Sequence, residues 1–162
     1  MTHIRSATPA DVPLIYSFIR ELAEYEREPH AVRITEMELL RDGFGENRYY
    51  ECLIAEEDQQ AAGFALYFPI YSTWQGPSLH LEDLFVRPEF RGRGIGKALL
   101  REVAAVAVKR GCKRLQWDVL EWNGPAIRFY HSIGATMLQE WRRMRVTDQA
   151  LQALAAADEV RA

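Results

Sequence analysis

The run Arg91-Gly92-Arg93-Gly94-Ile95-Gly96 constrains this chain more than any other stretch, because it joins a strand signal to a helix signal. Leu84, Phe85 and Val86 form a compact apolar run closed by Pro88, and Leu99, Leu100, Val103, Val106 and Ala107 recur at helical spacing beyond it. A strand that feeds a glycine-rich turn into a helix N-terminus makes an anion site. Glycines let backbone N–H groups converge and the helix dipole contributes partial positive charge. Arg91, Arg93 and Lys97 add whole charges. The guest this chemistry suits is a phosphate or pyrophosphate.

Glycine spacing then sorts the kinds of phosphate loop. A P-loop needs four residues between its first Gly and the Gly-Lys pair, followed by Ser or Thr. Here three residues separate Gly92 from Gly96, and Ala98 follows Lys97, so no hydroxyl is offered to magnesium. The dinucleotide fingerprint reads G-x-G-x-x-G, whereas this chain reads G-x-G-x-G. The pattern that fits is R-x-x-G-x-G, and the segment resembles the acetyl-CoA pyrophosphate loop of the GNAT N-acetyltransferases. Taken alone, such a loop also fits an ordinary strand-to-helix turn.

A second motif lies downstream. Trp122-Asn123-Gly124-Pro125-Ala126-Ile127-Arg128-Phe129-Tyr130 precedes Ile133-Gly134-Ala135. Asn123 suits a helix N-cap, Pro125 suits the first turn, and Gly134 is placed to stop the helix. This segment is similar to the second cofactor-contacting motif of the same family. The resemblance implies that Asn123, Gly124, Pro125 and Ala126 touch acetyl-CoA and that Tyr130 gives a proton to the departing CoA thiolate. Without that resemblance, Phe129 and Tyr130 read as core aromatics of a short helix.

Glu21-Leu22-Ala23-Glu24-Tyr25-Glu26, Asp42-Gly43-Phe44-Gly45-Glu46, Tyr71-Ser72-Thr73-Trp74 and Leu81-Glu82-Asp83 extend the resemblance over nearly the whole chain. They are similar to the diamine (spermidine/spermine) and thialysine acetyltransferases within the family. What this implies is an α/β GNAT fold over 1–162 as a single domain, with a mixed, mostly antiparallel sheet flanked by helices. It also implies Glu82 as base, directly or through water, and an amine pocket drawing on Tyr25, Glu26, Trp74, Glu82, Asp83 and Glu140. Backbone at Leu84, Phe85 and Val86 holds the pantetheine arm, and residues Arg91 to Lys97 hold the pyrophosphate. Members of the subgroup are homodimers whose pocket uses both chains. Two departures bear on the acceptor. Polyamine-specific members carry an acidic residue where Ser72 stands, and the segment after Leu138 is a few residues shorter here. The acceptor therefore stays open between a thialysine- or lysine-like amino acid and a polyamine. Acetylation of a protein or peptide amine, or a non-catalytic acyl-CoA sensor, are the alternatives.

The residue types make chemical sense without the family. An aliphatic amine with a pKa near ~10.4 arrives protonated, so a carboxylate must take its proton before nitrogen can attack a thioester. A thiol pKa near ~8.5 makes a tyrosine near ~10 a workable proton donor to the leaving thiolate. Alternation along Leu79-His80-Leu81-Glu82 puts His80 and Glu82 on one face, with Glu82 opening to the cleft unless a bulge shifts the register. Glu21, Glu24, Glu26 and Glu28 suggest a cation-attracting rim, although three of them also fit a solvated helix face.

The 162 residues suffice for one core, and a net charge of −3 argues against nucleic acid or anionic membrane as partners. Cys52 and Cys112 give neither metal spacing nor a disulfide framework. His30, His80 and His131 show no ligand spacing and read as structural or surface residues. No apolar run approaches the ~20 residues of a membrane span and no leader-like segment opens the chain, so the expected setting is the cytoplasm. Periodicity and turn chemistry predict a strand from Ile4, a helix capped at 8–11, and a helix from Thr35 to Gly43. They also predict strands over 50–56, 63–71, 79–86 and 114–120, a turn over 57–60, a strand or hairpin arm over 135–146, and a helix over 147–157.

Overall fold

The computed structural model describes residues 1–156. Its elements are β1 (Thr2–Ser6), α1 (Val12–Tyr25), α2 (Glu36–Phe44), β2 (Glu51–Glu57), β3 (Gln60–Ser72), β4 (Gly76–Val86), α3 (Ile95–Lys109), β5 (Leu115–Gln116), α4 (Gly124–Ser132) and α5 (Asp148–Ala156). They group into two compact units, Met1–Leu120 and a second beginning at Glu121.

The first unit holds one five-stranded sheet in the order β1-β2-β3-β4-β5, antiparallel throughout except for the parallel β4–β5 pair. This is the mixed, mostly antiparallel sheet expected from the sequence. Helix α1 begins where Asp11 accepts from the Thr8 backbone N–H at 2.7 Å, and Arg5 fixes that same carboxylate with two bonds of 2.8 and 2.9 Å. Thr35 caps α2 by accepting from the Glu38 N–H, while the Glu38 carboxylate returns to the Thr35 N–H at 2.9 Å. The stripe Val12, Ile15 and Phe18 on α1 and Leu39 on α2 packs against Cys52, Ile54, Phe64, Leu66 and Phe85. Phe18 and Phe64 stack with centroids 5.1 Å apart. Directly opposed residues in an antiparallel pair share a face, so the intervening positions face the other way. Leu79 and Leu81 therefore lie on the opposite face of β4, and α3 supplies buried Ile95, Leu99, Leu100 and Val103.

Differences from the sequence reading have physical causes. The β2–β3 turn is tighter than 57–60: only Asp58 and Gln59 lie outside the strands, both at positive φ, as a two-residue hairpin turn requires. The strand expected over 114–120 shrinks to Leu115–Gln116, which pair only with Leu79 and His80. The arm expected over 135–146 does not form, and the segment is irregular. Extended backbone persists where a ladder holds it. No described strand pairs with these residues, and Leu138, Trp141, Met144 and Val146 stay exposed. The last helix runs Asp148–Ala156, and Ala157, the expected end, lies outside the described residues.

Candidate active site

One interruption of the β3–β4 ladder shapes the site. Leu66 opposes Asp83 and Tyr67 opposes Leu81, so Glu82 is an extra residue on β4 with no partner across the ladder. Such a bulge re-aims the side chains around it. Upstream, His80 opposes Phe68; downstream, Asp83 and Phe85 oppose Leu66 and Phe64. All therefore lie on the face covered by α1 and α2. In an uninterrupted strand Asp83 would have shared the leucine face. The register shift that the alternation argument allowed for is present, and Glu82 opens outward, its side chain half-exposed.

A cavity of about 440 Å³ lies between β4, the second half of α1 and the segment 31–34. Its apolar lining includes Ile19, Leu22 and Ile34, and its charged lining is Glu26, Arg33, Glu82 and Asp83. Burial, reinforced by the charges of Glu82 and then Glu26, pushes Asp83 up to about 7. Burial and the Glu82 charge also raise Glu26 above the usual carboxylate range. The cavity thus concentrates three acids that are costly to keep ionised together, an arrangement an incoming ammonium group would relieve. The rest of the acidic run stays outside. Glu21 is held by Arg87 at 2.8 Å and by Ser17, with Arg87 keeping it below its ordinary value. Glu24 and Glu28 are exposed.

His80 is the residue that spacing gave no reason to single out. Its side chain is 8% exposed, its ring packs against Phe68 at 5.2 Å, and its Nε2 lies 3.2 Å from Glu82 Oε2. Only the parity of β4 pointed to it, by putting it on the same face as Glu82.

The glycine loop adjoins this strand end. Gly92 and Gly94 have φ of +76° and +79°, and a Cβ at either would meet no protein atom within 4 Å. Buried Ile95 anchors the first turn of α3, and a Cβ on Gly96 would lie 3.7 Å from Val86 Cγ2. The first N–H groups of α3 have no intrahelical acceptor, as in any helix. Arg91 spends its Nε–H on the Val86 carbonyl at 2.9 Å and lies over the Tyr25 ring, its Cζ 4.9 Å from the centroid. Arg93 bonds the Glu89 carbonyl and lies over Phe90. This set of oriented N–H donors and cations, with open space above the glycines, fits a pyrophosphate. Leu84, Phe85, Val86 and Arg91 to Lys97 are thus brought together, and Tyr25 joins them through Arg91.

The remaining candidates belong to other segments of the chain. Trp74 sits on the turn between β3 and β4, 77% exposed and eight residues before Glu82 in sequence, and it does not line the cavity. Ser72 organises that turn by accepting from the N–H groups of Trp74 and Gln75. In the second unit, Asn123 caps α4 by accepting from the Ala126 N–H, with Gly124 and Pro125 in the first turn. Tyr130 is half-buried in α4, its ring 5.3 Å from Phe129. Glu140 is exposed in the irregular stretch that follows.

The chain combines a sheet with one parallel pair, a glycine loop opening a helix beside it and an acidic cavity at the bulged strand, and its sequence places it among the acetyltransferases. The profile of the Acetyltransferase (GNAT) family matches residues 15–135, and the chain belongs to that family. Among its relatives, the thialysine N-epsilon-acetyltransferase of Mus musculus is 41% identical over 165 residues, covering 95% of this chain and 97% of that protein. The Sus scrofa protein of the same name is 43% identical, covering 94% and 96%. Among solved structures, an integron cassette protein from the mobile metagenome of V. cholerae aligns with a TM-score of 0.79 and 28% identity. That alignment covers 96% of this chain and 98% of the other. The chain is an acetyl-CoA-dependent N-acetyltransferase.

Proposed function

We propose that the acceptor is a small primary amine, a thialysine- or lysine-like amino acid or a polyamine, bound in the cavity of Glu26, Glu82 and Asp83. The observation that carries this reading is the placement of those three acids at the bulge, next to the strand end that leads into the glycine loop. Bound acetyl-CoA supplies the thioester carbonyl that the amine nitrogen attacks directly in a ternary complex. A carboxylate oxygen of Glu82 accepts the ammonium proton, directly or through one water, which frees the nitrogen lone pair. Glu26 and Asp83 hold the cationic end of the acceptor, and the apolar wall of Ile19, Leu22 and Ile34 packs its methylenes. Arg91 to Lys97 hold the pyrophosphate, backbone at Leu84, Phe85 and Val86 holds the pantetheine arm, and Asn123 to Ala126 complete the cofactor site. Tyr130 Oη would supply the proton that the sulfur takes as the carbon–sulfur bond breaks, and the second proton that the nitrogen sheds on becoming an amide would restore the phenol.

The same reading makes 1–162 one functional domain, supported by a family match that spans both compact units. It makes the enzyme a homodimer in the cytoplasm. The exposed aromatic turn at Tyr71 and Trp74 is the surface through which a second copy brings Trp74 to the amine pocket. Glu140 is assigned to that pocket on the resemblance alone. Among the described residues no helix is long and apolar enough to cross a membrane.

The test is amine-dependent release of CoA thiol across thialysine, lysine, spermidine, spermine, 1,3-diaminopropane and a basic peptide. Turnover of the small amines in preference to the peptide is the expected result. Preference for the peptide, or acetyl-CoA binding without any turnover, removes the small-amine assignment. Tyr130→Phe is expected to lower kcat about tenfold with acetyl-CoA affinity held within about twofold. Equal losses in both would make Tyr130 a packing residue.

A further inference from the structure

We infer that His80 is the positioning residue of the proton-accepting carboxylate: its held ring, with Nε2 3.2 Å from Glu82 Oε2, keeps that carboxylate turned in the direction the acceptor amine requires. This rests on the reading of Glu82 as base. A side chain in a regular ladder is oriented by the neighbour directly opposite. Glu82 has no such neighbour, because it is the extra residue of the bulge, and its side chain is 50% exposed. Left alone it would sample several rotamers, and only some would point a lone pair at the incoming ammonium. The contact at 3.2 Å to His80 Nε2 removes that freedom.

The imidazole is itself held. It is 8% exposed, it lies against Phe68, and its backbone is flanked by Phe68 on β3 and Gln116 on β5. The ladder between β4 and β5 consists only of the pairs Leu79–Leu115 and His80–Gln116. The parallel edge of the sheet therefore ends at the residue that needs to be rigid. The contact involves one carboxylate oxygen and leaves the second available to substrate.

The experiment compares His80→Phe, which keeps an aromatic ring in the packing but has no donor, with His80→Gln, whose Nε2 can reach the same oxygen. Each is made in the natural background and in Glu82→Ala, and a melting curve for each variant verifies folding. His80→Phe is expected to lower kcat about 10–100-fold, with KM for amine and acetyl-CoA within about twofold. His80→Gln is expected to recover kcat to within about threefold, and His80→Phe in Glu82→Ala to cost nothing more. Natural kcat in His80→Phe, no recovery with Gln, or losses that multiply in the double variant would reduce His80 to packing and overturn the inference. Undiminished kcat in Glu82→Ala alone would instead remove the base reading, and this inference with it.

Discussion

Replacing Glu82 with glutamine is expected to lower kcat for the preferred amine about 10²–10³-fold, while the Kd for acetyl-CoA stays within about twofold. Glutamine keeps the size and the polarity of the side chain but cannot take a proton. At neutral pH the acceptor then reaches the thioester as an ammonium ion, and only its small unprotonated fraction reacts. The glycine loop and the first turn of α3 are untouched, so cofactor affinity has no reason to move. A second readout is independent of turnover. The charge on Glu82 helps hold Asp83 at about 7, so its removal should lower the Asp83 titration, followed by carbon NMR of the labelled carboxyl. A kcat loss below about fivefold would take the proton-accepting role away from Glu82. An Asp83 titration that does not move would leave burial as the whole cause of its high value.

Asp83→Asn is expected to make the protein more stable at pH 8 and no more stable at pH 4. Asp83 titrates near 3.8 in an ordinary environment and at about 7 in the fold, chiefly through burial. Below pH 4 both the folded and the unfolded chain hold the proton, and the carboxyl costs folding nothing. Between about 4 and 7 the unfolded chain ionises while the folded one keeps its proton, so stability falls as pH rises. Above 7 both are ionised and the cost is complete. The interval corresponds to about 4 kcal/mol at ~1.4 kcal/mol per pH unit, and the open side of the cavity screens this to about 2 kcal/mol. Asparagine never ionises, so the variant should melt about 4–8 °C higher at pH 8, with the difference vanishing near pH 4. A melting difference that is the same at both pH values would mean that shape and hydrogen bonding, not charge, separate the two side chains. On the proposed reading of the cavity as an amine pocket, a carboxyl that destabilises its own fold at working pH is one whose charge a cationic guest would use.

The parts of the site that depend on local chain chemistry were legible in the sequence. Gly92 and Gly94 announced the turn between strand and helix, Leu99, Leu100, Val103 and Ala107 the buried face of α3, and Asn123 with Pro125 the start of α4, and each is found doing so. Glu26, Glu82 and Asp83 were named together and line one cavity. What depends on pairing across the sheet was hidden. Nothing in Leu79-His80-Leu81-Glu82-Asp83 says which residue a neighbouring strand will skip, so neither the shared face of His80 and Asp83 nor the His80–Glu82 contact could be read off. For the same reason the length of β5 and the fate of 135–146 were misjudged, since both turn on whether a partner edge is present rather than on the segment's own residues. Glu21 misled in another way: its helical spacing suits a charged rim, but Arg87, 66 residues later, neutralises it.

The skipped residue on β4 also sets how this strand can change over evolutionary time. Insertion or loss of one residue usually damages a strand locally. Here, deleting Glu82 would close the bulge and leave the segments on either side of it in phase, because Tyr67–Leu81 and Leu66–Asp83 would become consecutive pairs of a regular ladder. Phe85 would keep its place beside Phe18 and Phe64, and Leu79 and Leu81 would keep theirs above α3. The carboxylate at the bulge and the hydrophobic core are thus separable along the pleat. A single deletion at this position should therefore take away the proposed base while leaving the packing of both faces in register.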